Sequence, residues 1–295
     1  MLIKKKINNK DDILNKYSKR IEQIDNFNSY SELFIKDNEV IKIYTDCYDR
    51  VKYNIVILKE LLKKRRELSK IKELVLPNKL INYKNNTIGF SMNYIEGLTL
   101  EDIINKNIYD KEEIEKVFIK ILSIINRISE LPFDFCLADL HEKNVIINSY
   151  GDINLIDCDG FVINNKQTFI DGNIIMGKYL NMNYTSDRLV NINVSGDYFC
   201  LFNMIINYIL HRQSVSILEL ERFNKYLNDE YLEQIIDRTR DIESFKLDIN
   251  DIKELFSKMN YYQEKIIQYD EDCDKLLEKE IVRIRKLGGI YGEYY

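Results

Sequence analysis

Residues 137–161 read LADLHEKNVIINSYGDINLIDCDGF. The apolar runs NVIIN and INLID flank the polar turn SYGD, which is the pattern of a β-hairpin. Asp139 is followed five positions on by Asn144 and, thirteen beyond that, by Asp157, with the hairpin between the last two. Taken singly, each residue has an ordinary explanation: a turn cap, a satisfied backbone, a strand end. The three together around one predicted strand pair point to a site.

Upstream, SELFIKDNEVIKIY alternates around a KDNE turn and predicts two antiparallel strands from Ser31 to Tyr44. Val51, Ile55, Leu58, Leu61 and Leu62 recur at helical spacing, so residues 48–73 read as an amphipathic helix ending before Pro77. A second strand pair follows in LINYKNN and TIGFSMNYI and stops at Gly97. These elements make a small mixed lobe, residues 1–96. From residue 97 the patterns LTLEDIINK and EEIEKVFIKILSIINRISEL are helical, and after residue 195 the chain reads as helix again. The expected fold class is α+β, with a mixed N-lobe and a mainly helical C-lobe over 97–295. With two prolines, ten glycines and no low-complexity stretch, a short hinge near Asn93 to Gly97 is expected between the lobes. Residues 1–25 support no assignment, and 241–295 carry no recognised motif.

The spacing of Asp139, Asn144 and Asp157 resembles the catalytic loop and metal segment of the protein-kinase-like superfamily, D-x-x-x-x-N followed by an Asp ending a strand. The resemblance runs over roughly residues 24–240. It implies a bilobal fold, ATP and magnesium as cofactors, and phosphate transfer to a protein hydroxyl, with serine or threonine favoured. Phosphoryl transfer needs positioning and charge neutralisation more than covalent help. Asp139 would then be the catalytic base, while Asn144 and Asp157 would hold the metal against the phosphates. Lys42 in VIKIY matches the strand lysine that contacts the nucleotide phosphates, and its partner on the following helix would be Glu60, with Glu67 as competitor. In GFSMNYIEG, Met92 matches the gatekeeper, and Asn93 to Ile95 would offer backbone groups to the adenine; the same residues also read as a plain buried strand. Asp197 in VSGDYFCLFNMIINYIL matches the helix-start acid that anchors the catalytic loop, and it is equally a good helix N-terminal residue by its charge.

Several positions depart from the family pattern. NFNSYSELF has Asn and Ser where a glycine-rich loop would let amides approach phosphates. Ala138 stands where an arginine usually precedes the catalytic Asp, so a phosphorylated activation segment would lack its usual charge partner. His141 follows Asp139 by two, as in the D-L-H loops of aminoglycoside phosphotransferases, and Lys143 is placed to supply the missing cation. The metal segment reads Asp157, Cys158, Asp159, Gly160, with a second acid whose role the sequence leaves open. Two rivals follow: a small-molecule kinase, favoured by D-L-H, and a pseudokinase binding module, favoured by the missing glycine loop.

Composition narrows the classes. A net charge of -5 disfavours a dedicated nucleic-acid binder. The basic run from Lys59 to Lys72 is interrupted by Glu60, Glu67 and leucines and reads as a solvated helix face. Five dispersed cysteines without a CxxC pair and two histidines make a structural zinc site unexpected. No stretch approaches the roughly 18 apolar residues of a membrane span, and the start MLIKKKINNKDD lacks the apolar core of a secretory signal. A soluble, cytoplasmic protein is expected.

Overall fold

The computed structural model describes residues 19–20, 31–44, 48–83, 86–164, 166, 193–241 and 243–291. The glycine-loop position and most of the segment 160–194 lie outside them. The architecture is mixed α+β, an antiparallel sheet at the N-terminal end followed mainly by helices.

The sheet is built from β1 (Lys19–Arg20), β2 (Ser31–Lys36), β3 (Glu39–Tyr44), β4 (Pro77–Tyr83) and β5 (Asn86–Asn93), in the order β1-β2-β3-β5-β4. The β2–β3 connection is a two-residue turn in which Asp37 and Asn38 both have positive φ, 49° and 64°. That is the turn type whose twist suits a hairpin, and Asp and Asn tolerate it best after glycine. β5 then passes close to β3. A Cβ on Gly89 would stand 2.0 Å from the Lys42 carbonyl oxygen, so only glycine allows the strand bearing Lys42 to pair there.

α1 (Tyr48–Lys63) lays Val51, Ile55, Leu58 and Leu61 into the core. The expected helix over 48–73 is interrupted at Lys64, and only the short α2 (Arg65–Leu68) continues it. Beyond the break the Arg65 guanidinium donates to the Pro77 carbonyl and to Asn78 Oδ1, which directs the chain into β4.

After β5 come β6 (Leu98–Thr99), α3 (Leu100–Asn105) and α4 (Lys111–Ser129), the last opened by a reciprocal cap between Asp110 and Glu113. The predicted hairpin is present as β8 (Val145–Ile147) and β9 (Ile153–Leu155), extended by β6 into a three-stranded sheet. β7 (Phe135–Cys136) pairs with β10 (Val162–Ile163), so both ends of the segment quoted above are clamped together. Residues 73–75 bind β9 through Leu155 N–H to Glu73 O (2.7 Å) and Val75 N–H to Leu155 O (2.9 Å), which ties the hairpin to the lead-in of β4.

α5 (Val194–Ile209) is apolar on nearly every side and buried accordingly. α6 (Ile217–Leu227), α7 (Glu230–Thr239), α8 (Ile249–Ser257) and α9 (Met259–Tyr291) follow; α4, α8 and α9 pack on α5, and α6 and α7 pack on each other. One continuous apolar core runs from Val40 in the sheet to Ile266 in α9. Among the described residues no helix is long and apolar enough to cross a membrane.

Candidate functional site

Directly after β7 the chain makes a tight bend. Ala138 sits in the left-handed region at φ 61°, and the Asp139 N–H donates to the Leu137 carbonyl at 2.7 Å. That conformation costs about 1–2 kcal/mol for a residue with a Cβ and needs support from outside. Asp197, fully buried at the start of α5, supplies it by accepting from Leu137 N–H (2.8 Å) and Ala138 N–H (2.9 Å). Burial pushes the Asp197 carboxyl up to about 7, against the pull of those two donors.

Asn144 closes the bend. Its side-chain amide donates to the Asp139 carbonyl at 2.9 Å, and its own carbonyl accepts from Ile156 N–H at 3.0 Å. The loop after β7 and the residue before Asp157 are thus held by one main-chain bond. His141 Nε2 lies 3.8 Å from Asp139 Oδ2, and its Nδ1 accepts from Lys143 N–H at 3.2 Å. Burial lowers the His141 pKa, which favours the neutral ring.

The sequence suggests an extended run through Asp157 and Asp159, with both acids pointing the same way. The structure differs. β9 ends at Leu155, Asp157 is left-handed at φ 65°, and Cys158–Gly160 form a 3₁₀ turn closed by Gly160 N–H to Asp157 O at 3.0 Å. Asp157 keeps 36% of its side chain exposed while Asp159 keeps 3%. Both meet the Lys42 ammonium, at 2.5 Å for Asp157 Oδ1 and 2.8 Å for Asp159 Oδ1. The other oxygen of Asp159 accepts from Tyr44 OH at 2.7 Å, and the Asn54 amide donates to the Asp159 carbonyl at 3.2 Å. Burial alone would raise both carboxyls. At Asp157 burial is the largest influence, but the Lys42 charge and the hydrogen bonds to the carboxylate together outweigh it and lower the pKa; at Asp159 burial and the neighbouring Asp157 charge prevail, so Asp157 is the more acidic. Lys42 is raised despite its burial, because two carboxylates face it.

The expected Lys42–Glu60 pair is not formed. Glu60 lies on the same helix as Asn54 but turns to Lys63 (2.9 Å) and Lys166 (2.8 Å), which hold its carboxyl down at about 2. Glu67, the competitor, lies beyond the break and faces Lys64 at 3.9 Å. Lys143 is also apart from the Lys42 cluster. Its side chain is 66% exposed, 3.6 Å from Glu101, on the rim of a groove of about 670 Å³ that His141, Glu142, Asn207 and Arg212 also line. Met92 is buried at the end of β5; Asn93 is exposed and accepts from Asn78 at 2.8 Å; Ile95 packs partly on the core. The N–H of Tyr94, between them, is already taken by the Asn38 carbonyl at 2.9 Å.

Tyr44 and Asn54 are the site residues that sequence reasoning missed. Both carried a signal: Tyr44 shares the Lys42 face of β3 by the strand period, and Asn54 is a polar residue on the apolar stripe of Val51, Ile55 and Leu58. Among the described residues no group of three or more His, Cys, Asp or Glu is placed to hold a metal ion. Compared with family models and with curated proteins, the chain matches none.

Proposed function

We propose that the chain is an ATP- and magnesium-dependent phosphotransferase of bilobal, kinase-like architecture, with lobes 1–96 and 97–295, acting on a protein hydroxyl. The observation that carries this reading is the meeting of Lys42 with Asp157, 115 positions apart, at 2.5 Å. It unites the strand lysine with the acid proposed for the metal, and the Ile156–Asn144 bond adds the amide and Asp139 to the same place. The five-strand antiparallel sheet and the Asp197 anchor under the loop support it further.

The donor set fits magnesium. One partly exposed carboxylate and one amide oxygen are hard ligands, and Mg²⁺ takes one or two carboxylates with substrate phosphates completing the shell. Asn144 commits its amide nitrogen to the Asp139 carbonyl, which leaves its oxygen as the acceptor. The ion would neutralise phosphate charge there. Lys42 is the cation for the phosphates, and Asp139 accepts the proton of the acceptor hydroxyl. Met92, Asn93 and Ile95 are assigned to the adenine side of the cleft.

The groove beside His141 and Lys143 favours a second reading, a small polar acceptor. Incubation with γ-labelled ATP, magnesium, a generic protein and a panel of amino alcohols separates them. Label on protein is the expected result. Label on the amino alcohols alone moves the chain to the second reading, and nucleotide bound without any transfer leaves a binding module.

A further inference from the structure

Lys42 is 86% buried by side chain, and a buried ammonium requires a counter-charge with its own hydrogen bonds satisfied. The helix glutamate expected in that role is engaged elsewhere, 2.8 Å from Lys166 and 2.9 Å from Lys63. Resting on the phosphotransferase reading, we propose that Asp159 takes its place: Asp159 is the positioning residue that aims Lys42 at the nucleotide, which leaves Asp157 to the metal.

The geometry divides the two acids by what already occupies them. Asp159 uses Oδ1 for Lys42 at 2.8 Å and Oδ2 for Tyr44 OH at 2.7 Å, with Asn54 Nδ2 a further 3.4 Å contact to Oδ2. Its side chain is 3% exposed, so a metal ion has no approach to it without breaking those bonds. Asp157, 36% exposed, keeps room for a ligand beside its contact to Lys42. β3 holds both carboxylate oxygens of Asp159, through Lys42 and Tyr44, while α1 holds its main-chain carbonyl through Asn54 at 3.2 Å. Lys42 and Tyr44 lie on the same face of β3, so the strand itself holds the lysine and one support of its counter-ion in register. Glu60 has no such support, because its two lysine partners are largely exposed.

A consequence separates this arrangement from a helix-borne glutamate. Lys42 is tied to the 157–160 turn, so the phosphate cation and the metal acid are positioned as one unit, and α1, which packs on that turn, hydrogen-bonds to it through Asn54.

The test measures binding of a non-hydrolysable ATP analogue with magnesium, together with KM for ATP and kcat, in wild type, Asp159→Asn, Lys42→Ala, the double variant and Glu60→Gln. Asp159→Asn is expected to weaken nucleotide binding about tenfold, the scale of one charge-assisted hydrogen bond. Lys42→Ala added to it should weaken binding by no more than a further factor of about two, because the lysine has already lost its aim. Glu60→Gln should leave KM within about twofold. Tyr44→Phe covers the case in which Asp159→Asn does not fold: it removes one support and should raise KM about threefold with kcat little changed. Effects of Asp159→Asn and Lys42→Ala that multiply as independent ones, or a Glu60→Gln loss equal to that of Asp159→Asn, overturn the proposal. If wild type binds the analogue while both Asp159→Asn and Tyr44→Phe bind it equally well, this inference fails alone. If wild type does not bind it at all, the phosphotransferase reading fails and takes the inference with it.

Discussion

Around Asp139 the structure is fixed by the main chain, and around Lys42 it is fixed by side chains. In the first region Leu137, Ala138 and Asp139 are held by their main-chain N–H and C=O groups, to which the Asp197 carboxylate and the Asn144 side-chain amide bind. Ala138 contributes a conformation and no functional group. In the second, Lys42, Tyr44, Asn54, Asp157 and Asp159 meet through their own functional groups, and none is interchangeable with alanine. Leu137 and Ala138 should therefore tolerate replacements that keep the backbone path, while the second region should register every change of functional group. Both contain one left-handed non-glycine residue, Ala138 and Asp157, and such strain of about 1–3 kcal/mol persists where the surroundings over-determine it.

The largest effect tests the side chain of the first region proposed to take the proton of the acceptor hydroxyl. Asp139→Asn should lower turnover by ~10²- to 10⁴-fold, the usual contribution of a positioned general base, with nucleotide affinity nearly unchanged. Turnover within about threefold of wild type in a steady-state assay contradicts that role and would reduce the first region to scaffold.

Next comes the anchor beneath the loop. Burial raises Asp197 from an ordinary 3.8 to about 7, so folding takes up a proton between those values. The associated stabilisation is complete below about pH 4 and is lost as pH rises through about 7. The groups facing Asp197 are the Leu137 and Ala138 amides and the neighbouring thiols Cys136 and Cys200, whose pKa values burial and Asp197 raise. Asp197→Asn keeps one oxygen for two donors and should cost about 1–3 kcal/mol for the amide left unpaired. Urea unfolding from pH 5 to 8 should show wild type losing stability faster than this variant. Parallel pH profiles would mean that Asp197 keeps its charge in the fold.

The smallest effect probes backbone alone. Ala138→Gly removes the Cβ penalty at φ 61° but frees the unfolded chain, and these oppose each other within about 1 kcal/mol. Stability and turnover should both stay near wild type. A turnover loss as large as that of Asp139→Asn would show that the alanine side chain itself matters, and the contrast between the two regions would dissolve.

Much of this was legible in the sequence because the signals were local. The Ser31–Tyr44 and Val145–Leu155 hairpins and the helical stretch after residue 195 follow from alternation, turn residues and helical patterning. The spacing of Asp139, Asn144 and Asp157 anticipated their proximity, since a hairpin returns its second end to its first. What was not legible depended on rotation. Helical periodicity placed Glu60 on α1 but could not say which way the helix is turned about its axis, and that rotation brings Asn54 to the Asp157–Gly160 turn and Glu60 to Lys166. Likewise, strand alternation assigned Asp157 and Asp159 a common direction, and the left-handed φ at Asp157 abolished it.

The most direct test of the account is magnesium-dependent binding of an ATP analogue to wild type and to Asp157→Ala, titrated with and without the metal. Wild type should bind more tightly with magnesium, and Asp157→Ala should lose that dependence while keeping weak, metal-independent binding through Lys42. Equal magnesium dependence in the two proteins would contradict the assignment of Asp157, and with it the reading of the Lys42 cluster as a nucleotide–metal site.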